Sequence, residues 1–195
     1  MGTLFVVATP IGNLADITLR ALETLKEVDL VLAEDTRVTK KLLSHYNIQT
    51  PLLSYHQHSK EEKMQKVFDL LSGGKNLALV TDAGTPGISD PGNELIAFLL
   101  QQNPETKIVP LPGASAVVAL ASIAGVPTDK FLFLGYPPRK KGRKKFFAEV
   151  VESKHPVVFY ESPHRILKTL QELQITNYKL QTVVGRELTK QFEEV

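Results

Sequence analysis

The sequence predicts an α/β fold built on mostly parallel sheet, and three observations carry that reading. Short apolar runs alternate with helix-period stripes almost without interruption. The runs are apolar at consecutive positions, as in strands covered on both faces. Most of them end in loops rich in proline, glycine or acidic residues, the place where open α/β sheets carry ligands. At 195 residues and 43% hydrophobic content, the chain can bury a proper core in one large or two small domains.

Residues 4–8 form the first strand and run into the loop Thr9-Pro10-Ile11-Gly12-Asn13. Ile17, Ala21, Leu25 and Val28 recur at helical spacing and mark the first helix. Residues 30–33 are the second strand, ending in Glu34-Asp35-Thr36-Arg37, and Val38, Leu42 and Tyr46 stripe the helix after it. Ser59 with Glu62 is a capping-box signature for a third helix whose inner face is Met64, Val67, Phe68 and Leu71, stopped by Gly73-Gly74.

Residues 77–80 form a buried strand leading into Thr81-Asp82-Ala83-Gly84-Thr85-Pro86-Gly87-Ile88-Ser89-Asp90-Pro91-Gly92, the most informative segment of the chain. Its glycines allow backbone to come close to a ligand, and its prolines stiffen the loop. Asp90 as N-cap and Pro91 at the first helical position open a helix with Leu95, Ile96, Leu99 and Leu100 on its inner face. That cap alone is the plain alternative to a ligand loop, and it leaves the earlier special residues unexplained.

A strand over 107–111 leads to Pro112-Gly113-Ala114-Ser115-Ala116 and a small-residue helix over 117–124. This small-residue hinge divides an N-terminal domain, 1–114, from a C-terminal domain, 115–195. The second domain reads as a strand at 131–134, a helix on Phe146, Phe147, Val150 and Val151, and a strand at 156–160 ending in Glu161-Ser162-Pro163-His164-Arg165. Ser162 caps and Pro163 starts a helix with Ile166, Leu167, Leu170 and Leu173 on its inner face, and a last strand at 181–184 leads to Arg186-Glu187-Leu188-Thr189-Lys190. The sequence stops at Val195 as another element begins, so the second domain is expected to be incomplete.

Composition narrows the chemistry. With no cysteine there are no disulfides, thiolate metal sites or cysteine nucleophiles. The five histidines include no H-x-x-x-H, so no metal site is expected. No apolar run is long enough to span a bilayer, and the N-terminus reads as a strand rather than a signal peptide, so a cytoplasmic protein without membrane contact is expected. The net charge is only +2, but residues 139–145 (RKKGRKK) hold six basic residues in seven. Such a block suits RNA phosphates, with salt-dependent affinity, or a solvated loop. There is no G-x-G-x-x-G after the first strand, no G-x-x-x-x-G-K-[ST] and no G-x-S-x-G, which removes dinucleotide-binding, P-loop and α/β-hydrolase readings. A loop with acids and backbone groups but no lysine suits a nucleoside-like ligand bearing amine and hydroxyl groups better than a triphosphate.

Five segments in register, Thr9-Pro10-Ile11-Gly12-Asn13-Leu14, Ala33-Glu34-Asp35-Thr36-Arg37, the 82–92 loop, Tyr160-Glu161-Ser162-Pro163-His164-Arg165 and Arg186-Glu187-Leu188-Thr189-Lys190, resemble the small-subunit ribosomal RNA methyltransferases of the tetrapyrrole methylase (class III) superfamily. The resemblance implies S-adenosylmethionine as cofactor in a cleft between two α/β domains, a homodimer, and 2′-O-methylation of a cytidine ribose of 16S rRNA in the small ribosomal subunit. It implies that Pro10 lines the cleft beneath the cofactor. Asp82 matches the aspartate of the superfamily's Gly-Asp-Pro loop, with Thr81 and Ala83 in place of its glycine and proline. Gly84 would contact the cofactor, Ile88 and Ser89 would approach its methionine part, Ser115 and Ala116 would hold its other side, and Tyr160 and Glu161 would cover the adenosine.

Glu34, Asp35, His164 and Glu187 are unranked candidates for the group that takes the hydroxyl proton, and each has a structural alternative as cap or packing residue. Arg37, Arg139, Lys140, Lys141, Arg143, Lys144, Lys145 and Arg165 are the candidate RNA contacts. A tetrapyrrole methylase and a non-catalytic ribosome-binding module of the same fold are the alternative readings.

Overall fold

A computed structural model describes residues 1–55, 61–90, 92–176 and 179–195 of the chain, in two compact units, Met1–Ser115 and Ala116–Val195. Ser59, expected to cap the third helix, and Pro91, expected to start the fourth, lie outside the described residues.

The first unit alternates strictly: β1 (Thr3–Val7), α1 (Leu19–Glu27), β2 (Leu30–Ala33), α2 (Thr36–His45), β3 (Leu52–Ser54), α3 (Glu61–Ser72), β4 (Leu77–Val80), α4 (Asn93–Gln102) and β5 (Lys107–Leu111). The strands form one sheet in the order β3-β2-β4-β1-β5, every pairing parallel. Both faces are covered at the middle of the sheet, which is why β2 and β4 are apolar at every position. Val7, Val31, Ala33, Ala78 and Val80 pack with Ala21 and Leu25 of α1 and Leu43 of α2. Leu4, Leu32, Leu77 and Leu79 point the other way, onto Val67 and Leu71 of α3 and Leu95 and Leu99 of α4. Successive side chains alternate between faces, so β4 supplies both layers and all four of its residues are buried.

Two side chains expected on inner helix faces of this unit lie outward, and one strand was not foreseen. In α2, Val38 is exposed, and Thr39, Leu42 and Leu43 form the inner stripe of the helix that Asp35 caps. Leu100 likewise faces outward on α4. Strand β3 has only three residues, too few to show a period, and sits at the sheet edge against β2.

The second unit holds α5 (Ala116–Ile123), β6 (Leu132–Phe133), α6 (Arg143–Glu152), β7 (Val157–Val158) and α7 (Ile166–Thr176). Strands β6 and β7 pair in parallel over two residues. Its small core is aromatic: Phe146 and Phe147 of α6 and Leu173 of α7 are buried, with Phe159 edge-on to Phe146 at 5.5 Å. Residues 181–184, expected as a strand, carry no ladder and are not one; β6 and β7 pair with each other instead. Residues 163–165 form a turn rather than the first turn of α7, with the Ser162 carbonyl accepting from the Arg165 and Ile166 N–H groups, and Leu167, expected inside, faces outward while Thr169 and Leu173 are buried. No helix among the described residues is long and apolar enough to cross a membrane.

Candidate functional site

The strand order decides which loops meet. β1 lies between β4 and β5, so the segments that follow these three strands emerge side by side. Thr9 and Gly84 exchange both backbone hydrogen bonds, Thr9 N–H to the Gly84 carbonyl at 2.9 Å and the reverse at 3.0 Å. The buried Thr9 hydroxyl donates to the Thr81 carbonyl at 3.0 Å. The Thr85 hydroxyl donates to the Ala114 carbonyl at 3.2 Å, drawing in the loop that ends at Ser115. Pro10, the next residue after the crossing, is buried.

The 81–92 loop is shaped by left-handed backbone. Gly84 and Gly87 have φ of 91° and 88°, and Ser89, with a side chain, holds φ 67°. That is uncommon for a residue other than glycine and costs free energy unless the surroundings impose it. The imposition is visible at Gly87. Its N–H donates to Asp90 Oδ1 at 2.5 Å and its carbonyl accepts from Asn93 Nδ2 at 2.8 Å. A Cβ on Gly87 would stand 2.8 Å from Asn93 Oδ1. Asp90 is therefore not the N-cap of α4; Gly92 takes that place, and the Asp90 carboxylate turns back to brace the loop. Ile88 and Ser89 are left exposed on the loop crest.

A second junction joins β4 to its other neighbour, β2. Thr81 Oγ1 donates to Glu34 Oε2 at 2.8 Å, and Asp82 Oδ1 accepts from the Asp35 N–H at 3.0 Å. Asp35 caps α2 by accepting from the Arg37 N–H at 2.8 Å, and its carboxylate also pairs with the Arg37 guanidinium at 2.6 Å. Those bonds hold the Asp35 pKa down at about 2. Asp82 moves upward, through burial and then the charges of Glu34 and Asp35. Asp90 is raised to about 6, chiefly by burial, with Glu34 and Asp82 adding to it and the Gly87 N–H opposing. Three carboxylates, Glu34, Asp82 and Asp90, thus gather along one rim with turned backbone beside them. These acceptors favour a ligand that carries positive charge or hydrogen-bond donors.

The second unit uses its predicted residues differently. Glu161, expected over an adenosine, keeps its carboxylate 3% exposed and spends it internally. It accepts from Arg165 at 2.7 Å, from the Thr169 hydroxyl at 2.7 Å and from the Ser162 N–H at 2.7 Å. Arg143, expected on RNA with its basic neighbours, is buried. It donates to Glu172 at 2.7 Å, to Thr169 at 2.6 Å and to the Pro138 carbonyl at 3.2 Å, and lies over the Phe147 ring. A guanidinium so enclosed cannot reach a phosphate.

Arg139, Lys140, Lys141, Lys144 and Lys145 remain exposed. Lys144 and Lys145 stand in the first turn of α6, where the helix dipole disfavours cations, so their sign does not serve the helix. Tyr160 packs at 5.2 Å on both Phe133 and Tyr136. His164 is exposed in the turn before α7, and Glu187 pairs with Lys190 at 3.2 Å.

The first unit therefore brings together Pro10, Glu34, Asp35, Arg37, Asp82, Gly84, Ile88, Ser89 and Ser115 around its strand ends. Ala116, Tyr160, Glu161, His164, Glu187 and the basic residues belong to the second unit. Sequence reasoning missed Thr9 and Thr81, and it read Asp90 only as a cap. The available signal was a threonine directly after a wholly apolar strand, where a buried hydroxyl must find a partner.

Comparison with known proteins agrees with this architecture. The family model for Tetrapyrrole (Corrin/Porphyrin) Methylases matches residues 3–195. A protein of Halalkalibacterium halodurans named ribosomal RNA small subunit methyltransferase I is 47% identical over 99% of this chain and 66% of its own length. Proteins of the same name from Bacillus subtilis and Thermotoga maritima are 46% and 43% identical over 100% of this chain, covering 66% and 86% of those relatives. The chain thus spans about two thirds of most of these relatives. Among solved structures, a cobalt precorrin-4 methyltransferase superposes with a TM-score of 0.70 at 20% identity, over 98% of this chain and 83% of that one. A diphthine synthase gives 0.72 at 13% identity, over 98% and 80%. At such identities the likeness is one of fold.

Proposed function

The chain belongs to the tetrapyrrole methylase family, and we propose from that membership that it uses S-adenosylmethionine to methylate a cytidine 2′-hydroxyl of 16S rRNA. The relatives at 43–48% identity carry the name of a small-subunit ribosomal RNA methyltransferase, which supports RNA over a tetrapyrrole ring as substrate. The observation that carries the site is the Thr9–Gly84 crossing with Glu34, Asp82 and Asp90 beside it.

When bound, S-adenosylmethionine supplies an electrophilic methyl group. Gly84, Pro10 and the Ile88-Ser89 crest would bound it, and the carboxylates of Asp82 and Asp90 would balance its positive charges. The crossing holds these groups before the ligand arrives, so little ordering is left to do on binding. With that donor held there, a ribose 2′-oxygen would form the new C–O bond as the C–S bond breaks, and a base of the site would take the hydroxyl proton. Asp35 is a poor base, since Arg37 holds its pKa near 2. Glu34, oriented by the Thr81 hydroxyl, is the better-placed acid of the rim. The exposed cations at 139–141 and 144–145 would meet RNA backbone. The motif resemblance implies a homodimer, which sedimentation equilibrium tests directly.

The test is methyl transfer to small ribosomal subunits lacking the modification, followed by nucleoside analysis of the 16S rRNA. A ribose-methylated cytidine is expected. Transfer to a tetrapyrrole and none to the subunit would replace this reading.

A further inference from the structure

We propose that Glu161, Arg143 and Arg165 form an internal clamp that sets the pose of the basic loop, and that none of the three touches RNA. They are positioning residues for the cations around them. The proposal rests on the RNA reading above for its consequence, but the clamp itself rests on geometry.

Both guanidinium groups converge on one buried carboxylate. Arg165 pairs with Glu161 Oε1 at 2.7 Å, and Arg143 lies 3.6 Å from Oε2, the two linked further through the Thr169 hydroxyl. Each guanidinium then uses another arm on the main chain of the loop entrance. Arg143 Nη1 donates to the Pro138 carbonyl and Arg165 Nη1 to the Pro137 carbonyl, both at 3.2 Å. Prolines have no N–H and cannot tie this stretch into a ladder, so these carbonyls are the handles that remain. One end of the network is further anchored on α7 by Glu172, which takes the Arg143 Nε–H at 2.7 Å.

The strand side is fixed as well: the Tyr160 N–H donates to the Gly135 carbonyl at 2.8 Å, and the Tyr136 ring packs on Tyr160. Residues 135–138 are thereby held at the carbonyls of Gly135, Pro137 and Pro138, immediately before Arg139, Lys140 and Lys141. Arg143 itself opens α6, with Lys144 and Lys145 following. A planar fork with donors on three separate nitrogens reaches Glu172, Thr169 and the Pro138 carbonyl in different directions, whereas the three donors of a lysine radiate from one atom.

The two roles of Arg143 predict opposite behaviour. A phosphate contact would survive Arg143→Lys, and Arg143→Met would lower the salt slope of RNA affinity by about 0.7–0.9. A clamp residue fails in both variants, because both lose the fork. The test measures affinity for small ribosomal subunits against salt concentration, with circular dichroism melts to confirm folding.

We expect Arg143→Lys and Glu161→Gln each to weaken RNA binding about tenfold, the scale of one charge-assisted hydrogen bond removed, with an unchanged salt slope. Lys140→Ala should instead lower the slope. Limited trypsin digestion gives a readout independent of RNA, in which Glu161→Gln speeds cleavage after Arg139, Lys140 and Lys141 while the melt of the unit is retained. Wild-type affinity in Arg143→Lys, or unchanged tryptic cleavage in a folded Glu161→Gln, would overturn the clamp. Absence of salt-dependent RNA affinity in the wild type would overturn the RNA reading alone and leave the tryptic comparison to decide the clamp.

Discussion

Thr9 and Gly84 are joined by two backbone hydrogen bonds of 2.9 and 3.0 Å, although 75 residues separate them in the chain. The pairing follows from a parallel sheet in which β1 and β4 are neighbours. It turns two loops into one ledge, and the acidic rim of Glu34, Asp82 and Asp90 lies beside that ledge.

Gly84 should not tolerate a side chain. A Cβ there has room, standing 3.5 Å from Ile11 Cγ2, but φ 91° is a conformation that L residues rarely adopt. Gly84→Ala is expected to cost about 1–2 kcal/mol of stability and to weaken S-adenosylhomocysteine binding beyond that loss of folded protein. Thr9→Val removes the buried donor to the Thr81 carbonyl and should cost about 1–3 kcal/mol. Urea unfolding followed by ligand titration of the folded variants checks both; wild-type values in both would detach the crossing from the site.

Asp82 links the loop to the head of α2 through the Asp35 N–H. Asp82→Ala removes a rim charge together with that tie and should weaken cofactor binding about tenfold or more. Pro10→Gly loosens the buried segment after the crossing and acts in the same direction. Calorimetry on both variants gives the answer, and an unaltered affinity in a folded Asp82→Ala protein would remove Asp82 from the site.

Asp90 gives a pH signature. Its folded pKa is raised from 3.8 to about 6, so the folded state binds a proton more readily than the unfolded chain between those values. The resulting stabilisation is fully present below the unfolded pKa and is lost as pH rises through about 6. Asp90→Asn keeps an acceptor for the Gly87 N–H and escapes this loss. It should be more stable than wild type at neutral pH by about 1 kcal/mol, after allowance for partial solvent screening, and converge with it in acid. Unfolding free energies measured across this range decide it: a constant offset between the two proteins would mean Asp90 titrates normally.

The five exposed cations of the basic block should act additively on the salt dependence of RNA binding. Neutralising Lys140, Lys141, Lys144 and Lys145 together should flatten the salt slope of RNA binding by up to about 0.9 for each phosphate left without its cation, while cofactor affinity stays the same. A drop in cofactor affinity in the same variant would show that the block supports structure instead.

Much of this was legible in the residues. The continuous apolar runs gave away a sheet covered on both faces, since only that arrangement buries all of residues 77–80. The 81–92 loop announced itself through glycines whose left-handed backbone the structure then required. What the residues hid was partnership. Asp90 before Pro91 has the local form of a cap, but the Gly87 N–H competes for its carboxylate across the loop. Arg143 sits among five other cations and reads as one of them, and only the fold brings Glu161, Thr169 and Glu172 to it. Strand β3 escaped because three residues carry no period.

Whether the rim around Thr9 and Gly84 binds S-adenosylmethionine is the question on which the proposed function turns. Calorimetric titration of the chain with S-adenosylhomocysteine, alongside a matched titration with NAD, answers it. Saturable binding of the first is expected at about one site per chain, weakened by Gly84→Ala, with no heat from the second beyond dilution. A folded chain that ignores S-adenosylhomocysteine, or binds NAD equally well, would rule out a methyl-donor site on this rim.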